Sequence, residues 1–416
     1  MTVKVLILTG KFGMGHVAAA EAVADQVREH CRDAEIEIVD LMEYIYPHVY
    51  PLIYQGFKAV VNKMPRIYNA MICLDCRLEK LSLKGKLFSA EVVQSLMERC
   101  RPDVVVSTWL IGSKYVEAYK KKSGDGIPFV TCITDILAFD EWLSDTTDAY
   151  IVGGEDTRAA LIAKGVDDAK IHVGGIPVRR GFGQCCRAAA PKGQEVLMMG
   201  GGLGFIPHAD GLLRTLSAIP GVHTTVVTGQ NKKLLRKLRG RYDRVDVLGY
   251  TEDVPRLMAE ADVIVTKSGG ATMFEAIWSE LPLFVIKPYF EQEKVNAAYI
   301  EKNGLGRVVW EENCCGALEK FLQDAEARQA VKDHMHMLKE KLQGSGIASM
   351  IDTLAADRRQ GGTNHEKRIA AAGGGYSGGV YSLCTAACSG GAAAEFYAEA
   401  PQQGVSPGRE KALYHV

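Results

Sequence analysis

Two glycine-rich turns in the second half of the chain have residue types that suit phosphate binding. In one, an apolar run ends at Lys267 and is followed by Ser268, Gly269 and Gly270, and then by a segment of helical periodicity. In the other, the run GGGLG at residues 200–204 follows a second apolar run. Glycine lets the backbone approach a ligand closely, and a helix that begins there presents N–H groups at the positive end of its dipole. Both turns therefore predict contact with a phosphate or diphosphate.

Three polar residues downstream make the Gly269-Gly270 turn more specific than a glycine pair alone. Glu275 falls in the early turns of the predicted helix, where a carboxylate can accept hydrogen bonds from both hydroxyls of a ribose. Gln292 and Asn296 lie farther along the chain. Because many strand–helix turns use glycine only for its positive φ, it is this combination that predicts a nucleotide site.

His16 is the candidate general base. It follows the first apolar run in the sequence TGKFGMGH, and a helix is predicted to begin at about Val17. A neutral imidazole there can take a proton from an attacking hydroxyl, because the positive helix end resists protonation of the ring. The alternative, a histidine that only makes local hydrogen bonds, remains open. The glycine spacing fits neither the dinucleotide motif G-x-G-x-x-G nor the Walker motif.

The composition limits the class of protein. The chain has 416 residues, of which 47% are hydrophobic, so it is long enough for two or three domains. A net charge of −1 creates no global field that favours nucleic acid. The sequence has no signal sequence and no apolar segment of about 20 residues, and its number of cysteines is odd. We therefore expect a cytoplasmic protein with reduced thiols. No D-x-D motif occurs, so no metal site and no cofactor are predicted.

The elements that must position these residues alternate between strands and helices. Twelve strand-like runs are predicted, six on each side of the Gly- and Arg-rich stretch at residues 177–193. Near-continuous apolar strands separated by helices indicate parallel sheets covered on both faces. The expected fold is α/β, with two doubly wound, Rossmann-like domains at residues 1–180 and 190–356 facing a cleft. Residues 357–416 are predicted to be a disordered, low-complexity tail.

In its motifs the chain resembles the two-domain GT-B glycosyltransferases of family 28. It is most similar to the branch of monogalactosyldiacylglycerol synthases and processive diacylglycerol glucosyltransferases. The matching segments are GMGH, Thr134-Asp135 followed by Trp142, GGIPV, GGGLG, GYT, KSGGATMFEAI and QEKVNA, in the family's order. The resemblance implies inverting transfer of a hexose from a UDP-sugar to a diacylglycerol-type lipid, without a metal.

The resemblance also implies roles for individual residues. His16 matches the residue that assists the acceptor hydroxyl, and Asp135 is a candidate to orient or assist the acceptor, although a strand-end aspartate often only caps a turn. Trp142 lies on the acceptor side. The implied donor contacts are Gly201, Gly202 and Gly204 for the diphosphate, Gly269, Gly270 and Thr272 for the second phosphate turn, Glu275 for the ribose, and Gln292 and Asn296 for the sugar.

Two departures from the family pattern keep other functions open. Phe139 occupies the histidine position of T-D-x-x-x-H-x-x-W, and Ser268 replaces a common proline. The alternatives are a nucleotide-sugar 2-epimerase, which shares this architecture and a related ribose-binding glutamate, and a weakly active interaction homologue.

One segment of the first half predicts contact with a membrane. Between Glu43 and Asp75 there is no acidic residue. Aromatic residues recur there at helical spacing with cations between them, namely Tyr50, Tyr54, Phe57, Lys58 and Lys63. Such a face suits the headgroup boundary of an anionic membrane, although a tyrosine-rich core helix would have the same pattern. We therefore expect peripheral association with the cytoplasmic face of a membrane.

Overall fold

The first half of the chain forms one parallel sheet. A computed structural model describes residues 2–63, 90–186, 193–206, 208–310, 315–343 and 346–360, with the backbone alone described in residues 58–63. The strands are β1 (Lys4–Thr9), β2 (Glu35–Asp40), β3 (Val104–Ser107), β4 (Phe129–Cys132), β5 (Ala149–Val152) and β6 (Ile171–Val173). Their spatial order is β2-β1-β3-β4-β5-β6. The central strand β3 is buried throughout, whereas the edge strand β2 alternates with charged, exposed residues.

The second half forms another parallel sheet of six strands. These are β7 (Gln194–Met199), β8 (Val222–Val227), β9 (Val245–Leu248), β10 (Val263–Thr266), β11 (Leu283–Ile286) and β12 (Gly306–Val309). Their order is β12-β11-β10-β7-β8-β9. All twelve predicted strands are present, and the expected fold of two doubly wound domains is confirmed.

Helices connect the strands and cover both faces of each sheet. In the first half they are α1 (Met14–His30), α2 (Leu41–Ile45), α3 (Tyr50–Lys63), α4 (Ala90–Cys100), α5 (Leu110–Ser123) and α6 (Glu155–Ala163). In the second half they are α7 (Ala209–Ala218), α8 (Lys232–Leu238), α9 (Val254–Glu260), α10 (Gly270–Trp278), α11 (Glu291–Lys302), α12 (Cys315–Gln323) and α13 (Ala325–Gln343), and α14 (Ile347–Arg359) follows. None of the helices in the described ranges is both long and apolar enough to cross a bilayer.

The last helix returns to the first domain. Ile347, Ile351 and Leu354 of α14 lie in the same apolar cluster as Val5 and Ile7 of β1. The predicted domain limit at residue 356 is therefore wrong for this helix, because its apolar face is buried against the first sheet. Helix α14 also takes in residues 357–359, which were predicted to belong to the tail. The rest of that tail, residues 361–416, lies outside the described residues.

Candidate functional site

A cavity lies between the carboxyl edges of the two sheets. The segments that follow β1, β7 and β10 line it. The two halves touch across it, since a Cβ atom built on Gly202 would lie 2.1 Å from Cγ of Met14. The predicted site residues in its wall are His16, Phe57, Asp135, Gly201, Gly202, Gly269, Gly270, Thr272, Glu275 and Gln292. The fold therefore brings most of the residues singled out in the sequence into one place.

The imidazole of His16 is held in one tautomer. Its Nδ1 lies 2.9 Å from the carbonyl oxygen of Thr108 and 3.0 Å from Oγ1 of Thr134. Because a carbonyl oxygen can only accept, Nδ1 carries the proton and Nε2 is the proton acceptor of the ring. Burial lowers the pKa of His16 to about 4. The ring is therefore neutral at physiological pH, and the main cause is desolvation rather than the helix end invoked from the sequence.

Asp135 of the first domain lies at the amino end of α10 in the second. The side chain of Asn296 donates to its carboxylate at 3.0 Å, and the nearby backbone N–H of Gly270 lowers its pKa. A Cβ atom on Gly270 would lie 2.2 Å from the carbonyl oxygen of Thr134, so glycine is needed for this close approach. Burial raises the pKa of Asp135 to about 6. Gly270 also lines the cavity, so its contact with a phosphate stays a prediction, with the Asp135 carboxylate close to the same turn.

The side chain of Asn296 makes hydrogen bonds to residues of both domains. Its Nδ2 donates to Asp135 Oδ1 at 3.0 Å and to the Ser268 carbonyl at 2.9 Å, and its Oδ1 accepts from the Ile136 N–H at 3.0 Å. The side chain is fully buried and does not line the cavity. The predicted sugar contact of Asn296 is therefore corrected to a structural one. Gln292 does line the cavity, and its buried Oε1 has no hydrogen-bond partner among the described residues.

We expect Asn296→Ala to lower the free energy of unfolding by roughly 2–4 kcal/mol, because it leaves the Ile136 N–H and the Ser268 carbonyl buried without partners. Urea unfolding measures this change. Gln292→Ala is the matched control, since it removes an amide that faces the cavity and should leave the unfolding midpoint nearly unchanged. A normally stable Asn296→Ala protein with weakened donor binding would contradict this placement.

Glu275 and Arg179 form a charged pair in the cavity wall. Nη2 of Arg179 lies 3.4 Å from Oε1 of Glu275, and its Nη1 lies 3.5 Å from Oε2 of Glu21 on α1. Burial raises the pKa of Glu275 to about 7, against the lowering effect of Arg179. Arg179 follows β6 in the segment that leads to the second domain, and the sequence reasoning missed it. The Arg179-Arg180 pair after the GGIPV motif was the available signal.

The glycines of the GGGLG loop have different surroundings. Gly201 and Gly202 line the cavity, whereas Gly204 does not. Gly204 has a φ of +65°, and a Cβ atom there would lie 1.8 Å from the Thr228 carbonyl oxygen. The predicted diphosphate contact of Gly204 is therefore corrected to a packing requirement against the end of β8.

Lys267 places a cation beside both glycine turns. Its ammonium lies 2.9 Å from Oε1 of Glu293, and a Cβ atom on Gly201 would lie 3.6 Å from its Cε. The sequence reasoning missed this residue, although a lysine directly before a phosphate turn was a visible signal. Across the described residues, no group of three or more His, Cys, Asp or Glu side chains is arranged to hold a metal ion.

The aromatic residues of α3 pack inward. Tyr54 is buried, and its hydroxyl donates to Asp40 at 2.7 Å while accepting from the Lys11 N–H at 2.9 Å. Phe57 lies edge-on to Phe12 with ring centroids 5.0 Å apart. The expectation of a membrane-facing Tyr54 is therefore wrong, because its ring and hydroxyl are both used in the first domain.

The other residues of the predicted membrane face differ in position. Tyr50 is half-buried, with its ring centroid 6.1 Å from that of Tyr54. The side chains of Lys58 and Lys63 lie outside the described residues. Trp142 is almost fully buried, and its ring centroid lies 6.5 Å from that of His16. Trp142 is therefore buried near the imidazole, and its predicted role on the acceptor side stays a prediction.

Known sequence families match both domains. The family model of monogalactosyldiacylglycerol (MGDG) synthase matches residues 16–178, and that of the glycosyltransferase family 28 C-terminal domain matches residues 203–353. A similar protein is the processive diacylglycerol β-glucosyltransferase of Bacillus subtilis (strain 168). It is 24% identical over 376 residues, which cover 85% of this chain and 94% of that protein.

Similar solved structures support the fold. The glycotransferase of kitacinnamycin has a TM-score of 0.59 at 14% identity, covering 86% of this chain and 99% of its own. The Anabaena protein HepE, solved in complex with UDP-glucose, has a TM-score of 0.50 at 14% identity, covering 86% of this chain and 99% of its own. At these identities the likeness shows the two-domain fold.

Proposed function

We propose that the chain is a family 28 glycosyltransferase that transfers a hexose from a UDP-sugar to a diacylglycerol-type lipid in glycolipid synthesis, because family models match residues 16–178 and 203–353. Inversion at the anomeric carbon is part of the proposal. The named activity of the Bacillus subtilis relative supports the acceptor class. The observation that carries the proposal is a neutral, single-tautomer His16 in the same cavity as the two glycine turns.

The proposed reaction is a single displacement. Nε2 of His16 takes the proton of the acceptor hydroxyl, and the acceptor oxygen forms a bond to the anomeric carbon of the sugar. The bond between that carbon and the diphosphate oxygen breaks, and its electron pair leaves with UDP. Lys267 and the amino end of α10 stabilise the charge that develops on the diphosphate, since both are fixed before the reaction begins. The Glu275 carboxylate accepts hydrogen bonds from the ribose hydroxyls.

Transfer is favoured over the epimerase alternative, because the similar Bacillus subtilis protein is named as a glucosyltransferase. The third possibility, a weakly active interaction homologue, was raised by Phe139. Phe139 packs with Trp142 in an apolar cluster, while His16 keeps a neutral ring in the cavity wall. A phenylalanine at position 139 therefore leaves the proposed base intact.

We further propose that the protein docks on the cytoplasmic face of an anionic membrane. The support comes from apolar side chains at the start of α3 and just before it. Leu52 is 67% exposed, and Val49 and Tyr46 are each 45% exposed. Phe57 of the same helix lines the cavity. A lipid hydroxyl would thus reach the site from the side on which these residues meet the headgroup boundary.

The test is incubation of the purified protein with radiolabelled UDP-glucose or UDP-galactose and diacylglycerol in neutral detergent micelles, followed by lipid chromatography. We expect a labelled glycolipid with one of these donors. The matched control is the His16→Ala protein, which should form little product. Release of a 2-epimer of the nucleotide sugar in place of glycolipid would reject the proposal in favour of epimerisation.

A further inference from the structure

The chain carries a strongly basic segment at residues 232–244, far in sequence from α3. It contains seven cations and one acid, whereas the rest of the chain has 42 cations against 49 acids. The cations are Lys232, Lys233, Arg236, Lys237, Arg239, Arg241 and Arg244, and all seven are exposed. The near-zero net charge of the chain therefore hides a local concentration of positive charge.

The structure directs these cations outward. Leu238 of α8 is buried in the second-domain core, and Leu234 and Leu235 pack against that core. Residues 232, 233, 236 and 237 lie on the opposite face of the helix, because they are about half a turn away from Leu234, Leu235 and Leu238 around the helix axis. The fold thus fixes α8 with its apolar face inward and its charged face toward solvent.

Most of these cations are not neutralised within the protein. Lys237 and Arg241 share Asp210, Arg241 at 3.0 Å. The other five, Lys232, Lys233, Arg236, Arg239 and Arg244, have no carboxylate partner among the described residues. A surface of unpaired cations attracts a polyanionic surface through charge complementarity.

The basic segment is close in the chain to a residue of the cavity wall. Asn231, which caps α8 through the Leu234 N–H at 3.0 Å, also donates to the carbonyl of Gly204 at 3.2 Å. Strand β9 begins directly after the segment and leads to two exposed apolar residues, Leu248 and Tyr250. Tyr250 and Phe57 of α3 line the same cavity. The basic segment and the exposed start of α3 are therefore each followed within a few residues by a side chain that lines this cavity, Tyr250 in the second domain and Phe57 in the first.

We propose that residues 232–244, with Leu248 and Tyr250, dock the second domain onto a bilayer that contains anionic lipid. This inference rests on the proposed membrane acceptor and adds a second contact, in the other domain. Exposed apolar side chains next to cations bind well at the headgroup boundary of an anionic bilayer. A nucleic acid fits less well, because Tyr242 is the sole aromatic ring in the segment and its hydroxyl is held by Asp210.

The test is sedimentation of the full chain with vesicles of phosphatidylcholine alone or mixed with phosphatidylglycerol, without any sugar donor. The variant is Lys232→Gln/Lys233→Gln/Arg236→Gln. Each cation near an anionic surface contributes about fivefold to partitioning, so the triple variant should bind anionic vesicles roughly a hundredfold more weakly. Binding of the parent should also fall at high salt, because these charges are exposed.

The matched control is Lys320→Gln/Lys332→Gln/Lys341→Gln, which removes three cations from α12 and α13 of the same domain. It should bind as the parent does. Equal binding of both triple variants would overturn the proposal, and so would parent binding to an RNA homopolymer but not to anionic vesicles. Transfer in neutral detergent should be unchanged in the α8 variant, so a failure of docking is distinguishable from a failure of the proposed activity.

Discussion

Replacing His16 with alanine is expected to lower the turnover number by roughly 10²–10⁴-fold, the range for loss of a general base. The affinity for UDP should stay nearly unchanged. The reason is that Nδ1 is committed to the Thr108 carbonyl, which leaves Nε2 to receive the acceptor proton. Initial rates of glycolipid formation measure the first effect, and titration calorimetry with UDP measures the second. Loss of UDP binding together with activity would make His16 a donor-binding or structural residue.

The pH dependence separates His16 from its neighbours. Since burial lowers the pKa of His16 to about 4, its base form persists well below neutral pH. A fall in rate near pH 6 would therefore arise from another group, such as Asp135, whose pKa is raised to about 6.

The lowered pKa of His16 also affects the stability of the fold. His16 favours folding at neutral pH, and this contribution is lost as pH falls from about 6.5 to about 4, because the histidine of the unfolded chain binds the proton first.

The strands and the turns could be predicted from the sequence because their signals are local. The run Leu283–Ile286 is entirely apolar and forms a strand that is buried on both faces. The glycine pair at 269–270 follows a strand directly and begins α10. In a parallel sheet the carboxyl ends of the strands lie on one edge, so such turns necessarily come together there.

The partners of the site residues could not be predicted, because they lie far apart in the sequence. Asn296 and Asp135 are separated by 161 positions, and Arg179 and Glu275 by 96. Nothing near Asn296 indicates that its amide will meet a strand end of the other domain. Its residue type and helical position fit a sugar contact equally well, and the position of α11 beside the residues that follow β4 decides between the two.

The aromatic helix α3 and the last helix α14 show the same limit. Helical spacing of apolar residues indicates that one face will be buried but not against what. For Tyr54 the partner is Asp40, which lies at the end of β2. For α14 it is the first sheet, although the helix follows the second domain in the chain. In both cases the long-range contact determines which face remains for a membrane or a ligand.

Replacing Glu275 with glutamine is expected to weaken binding of UDP-glucose about ten- to a hundredfold, because a charged hydrogen bond to a hydroxyl contributes roughly 1.5–3 kcal/mol. UDP-glucose is the suitable probe, since its diphosphate diester does not titrate near neutral pH. Glu280→Gln is the matched control: it removes a carboxylate just beyond the end of α10, outside the cavity wall. Unchanged affinity in the Glu275→Gln protein would remove this residue from the donor site.

The raised pKa of Glu275 gives this prediction a pH signature. With the pKa of Glu275 near 7, a nucleotide whose ribose hydroxyls need the carboxylate should bind more tightly as pH rises from about 6 to about 8. The Glu275→Gln protein should lack this rise in affinity.

The stability of the fold should respond to pH in the opposite direction. The Glu275 carboxyl holds its proton more tightly in the folded protein than in the unfolded chain, so the stability that this group contributes falls as pH rises from about 4.5 to about 7. Glu275→Gln should therefore raise the melting temperature at about pH 8, and a lowered one would mean that the charge at the helix start stabilises the fold.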